Sequence, residues 1–202
     1  MSELPMRELP NRRDVVRALL ADRGDLLVIA GLGASAWDIS AIGDHPRNLP
    51  LWGGMGGAAM MGLGLALARP ADRVLVITGD GEMLMGLGAL ATIAVQRPVN
   101  LSVVVLDNEH YSETGGQETA TKHGVDLAAM ARGAGIPSTP TLRSLAEVPA
   151  LRDAVHEGGG PLFAVIKIAP GNLPLVLPPR DGAILQARFR EAVLGPAAHH
   201  QL

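Results

Sequence analysis

None of four short aliphatic runs in this chain alternates apolar with polar residues: "LLVIAG" at 26–31, "VLVITG" at 74–79, "LSVVVLD" at 101–107 and "FAVIKI" at 163–168. A strand with one face in water alternates, so each run predicts a strand covered on both faces. Helical stretches lie between them, at 12–22, about 54–68, 83–96, 126–134, 144–156 and 182–193, with Asp126 and Ser144 as N-caps. Strands that alternate with helices predict an α/β fold, a doubly wound, mostly parallel sheet flanked by helices. Two Phe, two Trp and one Tyr are too few to fill such a core, so Val, Leu, Ile, Ala and Met must pack it. Met60 and Met61 accordingly read as core residues.

The 202 residues fit a single domain, 1–202, with its core at about 12–170. "GNLPLVLPPRDG" at 171–182 is too proline-rich to continue a helix and is expected to wrap over a surface before a last helix ending near 194. The tail is 195–202, where His199 and His200 read as chain-end residues rather than metal ligands.

Several function classes are disfavoured. The net charge of -3 and the lack of any long basic run give no reason to expect nucleic acid or an anionic membrane as partner. The absence of cysteine removes disulfides, thiolate catalysis and cysteine-ligated zinc or iron–sulfur clusters. "MSELPMRELPNRRDVV" puts charges where a signal peptide needs its apolar centre, and no apolar run is long enough to span a bilayer, so a cytoplasmic location is expected.

In a doubly wound sheet, ligands gather at the carboxyl ends of the strands. The loops there read "GLGASAWD" (31–38), "GDGE" (79–82) and "DNEHYSETGGQ" (107–117). Asp80 sits between Gly79 and Gly81, where a strand gives way to a helix whose free N–H groups suit phosphate. A glycine–aspartate pair is also a common turn, and alone it proves nothing. A strand–helix–strand unit later, Asp107 and Asn108 reach the same sheet edge. A carboxylate, an amide oxygen and a backbone carbonyl make an oxygen-only set that phosphate oxygens and water would complete to the octahedron magnesium prefers.

"GDG", an apolar helix, and a strand ending in Asp-Asn together resemble the thiamine-diphosphate binding motif, and the chain resembles the diphosphate-binding (PP) domain of that enzyme superfamily. The resemblance implies two cofactors, thiamine diphosphate and Mg2+. Asp80 and Asn108 would bind the metal through side chains and His110 through its backbone carbonyl. Two positions depart from the usual pattern: Asp107 replaces the first of paired asparagines, and His110 a glycine. "LPLWGGMGGAAMMGLGLALA" resembles the family's stretch before the motif. There the Gly53 carbonyl would accept a hydrogen bond from the aminopyrimidine, Met55 would wedge beneath the bent cofactor, and Trp52 would pack beside the site. Gly33, Ala34 and Ser35 of the first loop are candidates for diphosphate contacts, although a turn capped by Ser35 needs no cofactor. With Gly79, Gly81, Glu82 and Tyr111 the implied cofactor-binding set is complete. Glu82 is expected to face outward, since turned inward it would repel the diphosphate.

Within the superfamily the chain looks most like the β-type subunits of sulfopyruvate decarboxylase and the matching part of phosphonopyruvate decarboxylase. Those carry Ser-(Arg/Lys)-Glu in the first loop where this chain has Ser35-Ala36-Trp37, so the resemblance implies a decarboxylase of a small 2-oxo acid without naming the acid. Activation of the cofactor needs a glutamate from a PYR domain that 202 residues do not accommodate. That implies an α-type PYR-domain subunit as partner, in an α2β2 or larger assembly, and leaves the catalytic residues of this chain unknown. His110, Tyr111, Ser112, Glu113 and Thr114 would border the substrate, Gly115-Gly116-Gln117 could hinge that loop, and His123 reads as a solvated surface group. The alternatives are a carboligase of acetolactate-synthase type and a catalytically silent phosphate-binding module. A ferredoxin-linked oxidoreductase subunit is disfavoured by the lack of cysteine. A dinucleotide fold is disfavoured because "GLGASA" keeps only two glycines of G-x-G-x-x-G.

Overall fold

The computed structural model describes residues 9–199. The N-terminal stretch used above to exclude a signal peptide lies outside these residues up to position 8, as do residues 200–202, including His200.

Six parallel strands form one sheet: β1 (Leu27–Ala30), β2 (Asn48–Pro50), β3 (Val74–Gly79), β4 (Leu101–Asp107), β7 (Thr141–Leu142) and β8 (Leu162–Lys167), in the order β2-β1-β3-β4-β8-β7. A separate antiparallel pair, β5 (His110–Tyr111) with β6 (Gln117–Glu118), lies in the loop after β4. The four expected strands are the centre of the sheet, and β2 and β7 are edge strands not predicted by the aliphatic runs. They are three and two residues long, and β2 ends in Pro50, which pairs with Ala30 and is tolerated at an edge because its missing N–H would face away from β1.

Successive residues along the central strands point to opposite faces, and both faces are covered. Leu27, Ile29, Val74, Val76, Val103, Val105, Phe163 and Val165 pack on one side against α3 (Ala58–Ala68), α5 (Gly88–Gln96), α6 (Leu127–Ala134) and α8 (Gly182–Leu194). Val28, Ala30, Leu75, Ile77, Val104, Leu106, Ala164 and Ile166 pack on the other against α1 (Arg12–Leu19), α2 (Ala34–Ile42) and α7 (Val148–Glu157). Burial of a Val, Leu or Ile side chain contributes about 1.5–3 kcal/mol, which is why the aliphatic runs dominate the fold.

The caps behave as expected: Asp126 accepts from the Ala129 amide, and Ser144 forms a capping box with Glu147 ahead of α7. Two expectations fail. Met60 and Met61 are exposed on the outer face of α3, at 43% and 42%, because the small residues Ala58, Ala59 and Gly62 turn to the sheet instead. The helix expected over 83–96 is two helices, α4 (Asp80–Met85) and α5, separated at Gly86. A Cβ on Gly86 would collide with the carbonyl oxygen of Gly56, so the break is where the 53–57 loop packs directly on backbone.

The C-terminal stretch wraps over a surface as predicted. Pro174 and Pro179 accept hydrogen bonds through their carbonyls from Arg13 and Trp52. Among the described residues no helix is long and apolar enough to cross a membrane.

Candidate cofactor site

The strand order turns back on itself at β1, whose neighbours β2 and β3 are reached in opposite directions. The carboxyl ends of β1, β3 and β4 open into one cavity of about 480 Å³. Its lining brings together Ser35, Met55, Gly79, Asp80, Gly81, Glu82, Asn108, His110 and Tyr111 from segments far apart in sequence. Gly33 and Gly53 belong to the same loops but do not line the cavity themselves. Gly33 lies under Glu113, whose side chain would meet a Cβ there.

Asp80 is buried, and its Oδ2 accepts hydrogen bonds from Thr119 at 2.5 Å and Thr121 at 3.1 Å. Thr121 Oγ1 also lies 2.8 Å from Oδ1 of Asp107, so its single hydroxyl proton is shared between two carboxylates. Burial, and then the nearby Asp107 charge, push the Asp80 carboxyl up to about 6 against the opposing effect of the threonine hydroxyls. The two threonines fix one oxygen of Asp80 and leave Oδ1 without a side-chain donor.

Asp107 in turn meets Lys167 at 2.8 Å, and the same ammonium reaches Glu109 at 2.8 Å. Burial alone would lower the Lys167 pKa, but its two carboxylate partners raise it. Burial would raise that of Glu109, but Lys167 and Lys122 hold it below its usual value.

Asn108, Glu109 and His110 form a tight turn. Glu109 has φ +65, sparsely populated for a residue with a Cβ and costing on the order of 1 kcal/mol. The turn is held by Asp107 Oδ1 accepting from the Glu109 amide and Asn108 Oδ1 accepting from the His110 amide, each at 3.1 Å. The Asn108 amide nitrogen donates to Ser112, and the His110 ring lies 2.8 Å through Nδ1 from the Asn108 carbonyl oxygen. The ring of His110 therefore folds back on its own turn.

Glu82 corrects the sequence reading. It does not face outward: it is buried, and its Oε2 accepts a 2.7 Å hydrogen bond from Thr78, four residues earlier at the end of β3. Burial raises its pKa, opposed first by that hydrogen bond. Gly31 must lack a side chain because a Cβ there would strike this carboxylate. The reading of Gly81 changes as well. Its missing Cβ makes room for the Tyr111 ring, whereas a Cβ on Gly79 would meet only open space. Ser35 is not the cap of α2; Gly33 holds that position, and Ser35 is buried within the first turn.

The loop residues also sort themselves. Met55 lines the cavity while 39% exposed. Trp52 is 42% exposed and donates through its indole N–H to Pro179. Glu113 leans over the cavity mouth, with its pKa raised by burial against the influence of Arg12. His123 is solvated as expected, 3.1 Å from Glu118. Sequence reasoning missed Thr119, Thr121, Lys167 and Arg12; the only local signal was the Thr-x-Thr spacing after the loop. Among the described residues no three His, Asp or Glu side chains could hold a metal by themselves.

The family model described as "Thiamine pyrophosphate enzyme, C-terminal TPP binding domain" matches residues 36–166. The β subunit of sulfopyruvate decarboxylase from Methanocaldococcus jannaschii is 34% identical over 91% of this chain and 97% of its own length. The corresponding subunit from Methanothermobacter thermautotrophicus is 39% identical over 85% and 89%. Phosphonopyruvate decarboxylase from Streptomyces viridochromogenes is 36% identical over 94% of this chain, which spans 48% of that protein. In fold, the chain is similar to the X-ray structure of a protein described as a thiamin diphosphate-dependent enzyme from Mycobacterium smegmatis. That likeness has a TM-score of 0.67 at 24% identity, over 80% of this chain and 32% of the other.

Proposed function

This chain belongs to the thiamine pyrophosphate enzymes, through their C-terminal TPP-binding domain, and from that premise we propose that it is the cofactor-anchoring, β-type subunit of a 2-oxoacid decarboxylase dependent on thiamine diphosphate and magnesium. The observation that carries the reading is Asp80. It is a buried carboxylate with one oxygen fixed by two threonines, at the mouth of a cavity that also holds Asn108 and the His110 turn.

The donor set fits the group. Two side-chain oxygens and a carbonyl are too few for magnesium alone, and a diphosphate supplies further oxygens at the same point. Asp80 and Asn108 would hold the metal through their side chains and His110 through its backbone carbonyl. Gly79 leaves clearance beside the diphosphate, and Gly81, Glu82 and Tyr111 form the wall next to it. Ser35 and Gly33 border the diphosphate end. Met55, in the cavity lining, would support the cofactor, and the Gly53 carbonyl, on the same loop but outside the lining, would accept from its aminopyrimidine. Once bound, the cofactor supplies the electron sink that lets a 2-oxo acid lose carbon dioxide. What this chain's residues contribute is anchoring, orientation and exclusion of water.

The relatives matched nearly end to end are β subunits, which supports a separate α-type subunit. That partner carries a PYR domain and the activating glutamate, in an α2β2 or larger assembly in the cytoplasm. The single domain spans 1–202. The decarboxylases reported above are 34–39% identical to the chain and the acetolactate synthase of Zea mays 26%, which favours decarboxylation over carboligation. The test is to combine the chain with a PYR-domain partner, thiamine diphosphate and magnesium, then assay 2-oxo acids for carbon dioxide and aldehyde. Stoichiometric release of both is expected. Formation of an acetohydroxy acid instead of aldehyde would overturn the decarboxylase assignment.

A further inference from the structure

Arg12 stands in the first turn of α1, before the first strand and outside every motif of the cofactor site. Its side chain is 5% exposed and lines the cavity. A buried arginine is rare unless paired, and this one is paired incompletely. Its Nε lies 2.7 Å from Oδ2 of Asp38, in α2, a charge contact whose N–H is not aligned on the oxygen. Its Nη1 donates to the Gly171 carbonyl at 3.0 Å. Asp38 is completely buried and is shared: Arg13 donates to its Oδ1 at 3.1 Å and is satisfied further by the Pro174 carbonyl.

One carboxylate thus answers two guanidinium groups, and the positive charge left over lies on the wall that faces the cavity. Among the described lining residues Arg12 is the only lysine or arginine. The lining acids do not cancel it. Asp80 belongs to the metal in the reading above, Glu82 is bonded to Thr78, and Glu113 comes near Arg12 without forming an ion pair. The first loop, "GLGASAWD", carries no cation of its own. A guanidinium arriving from α1 occupies the role that the loop leaves open, and its planar fork suits a tetrahedral or planar oxyanion.

We propose that Arg12, held in position by Asp38, recognises a second anionic group on the 2-oxo acid, a sulfonate, phosphonate or carboxylate on C3, and so sets a preference for dianionic over monoanionic substrates. The inference rests on the decarboxylase reading. Arg12 is the specificity-determining residue; Asp38 is a positioning residue that holds the Nε edge of its guanidinium.

The test uses the complex with its PYR-domain partner, thiamine diphosphate and magnesium. It compares wild type with Arg12→Lys, Arg12→Gln and the double variant Arg12→Gln/Asp38→Asn. Arg12→Gln leaves Asp38 its hydrogen bond from Arg13, and the double variant replaces the buried carboxylate as well, so an effect of Asp38 losing one of its two cations is told apart from the loss of Arg12 itself. The ratio of kcat/KM for 3-sulfopyruvate over pyruvate is expected to fall roughly 10–100-fold in Arg12→Gln and the double variant, mainly through KM, and less in Arg12→Lys. Calorimetric affinity for unreactive 3-sulfopropanoate should fall by the same factor, with affinity for thiamine diphosphate within about threefold of wild type. An unchanged substrate ratio and unchanged sulfopropanoate affinity would overturn the proposal. So would a loss of thiamine diphosphate affinity without a change in the ratio, because Arg12 would then act on the diphosphate. If the wild-type complex decarboxylates no 2-oxo acid, the decarboxylase reading fails, and the sulfopropanoate measurement still decides whether Arg12 binds the anion.

Discussion

Thr119 donates a 2.5 Å hydrogen bond to Oδ2 of Asp80 across 39 residues of sequence, tying the loop after β6 to the end of β3. Thr121 donates to the same oxygen and touches Asp107, so the orientation of the proposed metal ligand depends on two hydroxyls rather than on Asp80 alone. Replacing Thr119 with Val should keep the shape but free the carboxylate to rotate. Partners that orient a ligand without touching the metal are worth about 10–100-fold in metal affinity. Magnesium-dependent binding of thiamine diphosphate by Thr119→Val should weaken by that order, measured by calorimetry on the complex. Wild-type affinity would mean that the hydroxyl is not needed to aim the carboxylate.

Asp80 destabilises the chain that holds it. Burial, and then the Asp107 charge, raise its pKa from the ordinary 3.8 to about 6 on folding, so the folded state binds its proton more tightly than the unfolded state. The cost of ionising it is absent below about pH 4, grows between about pH 4 and 6, and is complete above that. Asp80→Asn should therefore stabilise the cofactor-free chain at pH 8 by on the order of 1–3 kcal/mol, with little gain at pH 4. Urea unfolding at the two pH values checks this, and a variant less stable than wild type at pH 8 would contradict it.

Gly81 is required by an aromatic ring. Adding a Cβ there drives it into Tyr111, and overpacking of this kind costs about 1–3 kcal/mol. Gly81→Ala should lower the Tm, and combining it with Tyr111→Ala should recover part of the loss. Non-additivity of that sign in a double-mutant cycle is the expected result; strict additivity would place the ring elsewhere.

Lys167 holds two carboxylates together at the end of β8 and is 13% exposed. Lys167→Met leaves Asp107 without its cation and Glu109 with Lys122 alone, a loss on the order of 3 kcal/mol for a largely buried pair. Chemical denaturation at pH 7 reads it directly. A change under about 0.5 kcal/mol would show that solvent already screens the group.

The centre of the sheet was legible because uninterrupted β-branched runs have few other uses in a chain of this composition. The edge strands were not, since Asn48–Pro50 and Thr141–Leu142 are too short to carry a pattern and exist only by pairing with neighbours. Asp80 and Asn108 were visible from their positions at strand ends. The direction of Glu82 was not, because it depends on Thr78 lying one helical turn back and on Gly31 leaving space across the sheet. The break at Gly86 depends on a backbone contact with Gly56, and Arg12 reaches the cavity only because α1 packs on α2. Each omission is a tertiary contact with no local signature.

The central claim is that Asp80 anchors a magnesium-bound diphosphate. It is tested most directly by titrating thiamine diphosphate, with magnesium, into the complex of this chain with the proposed PYR-domain partner, using wild type and Asp80→Ala side by side while circular dichroism monitors the fold. Saturable, magnesium-dependent binding by wild type and its loss in a folded Asp80→Ala is the predicted result. Absence of binding by wild type, or wild-type affinity in the variant, would contradict the account.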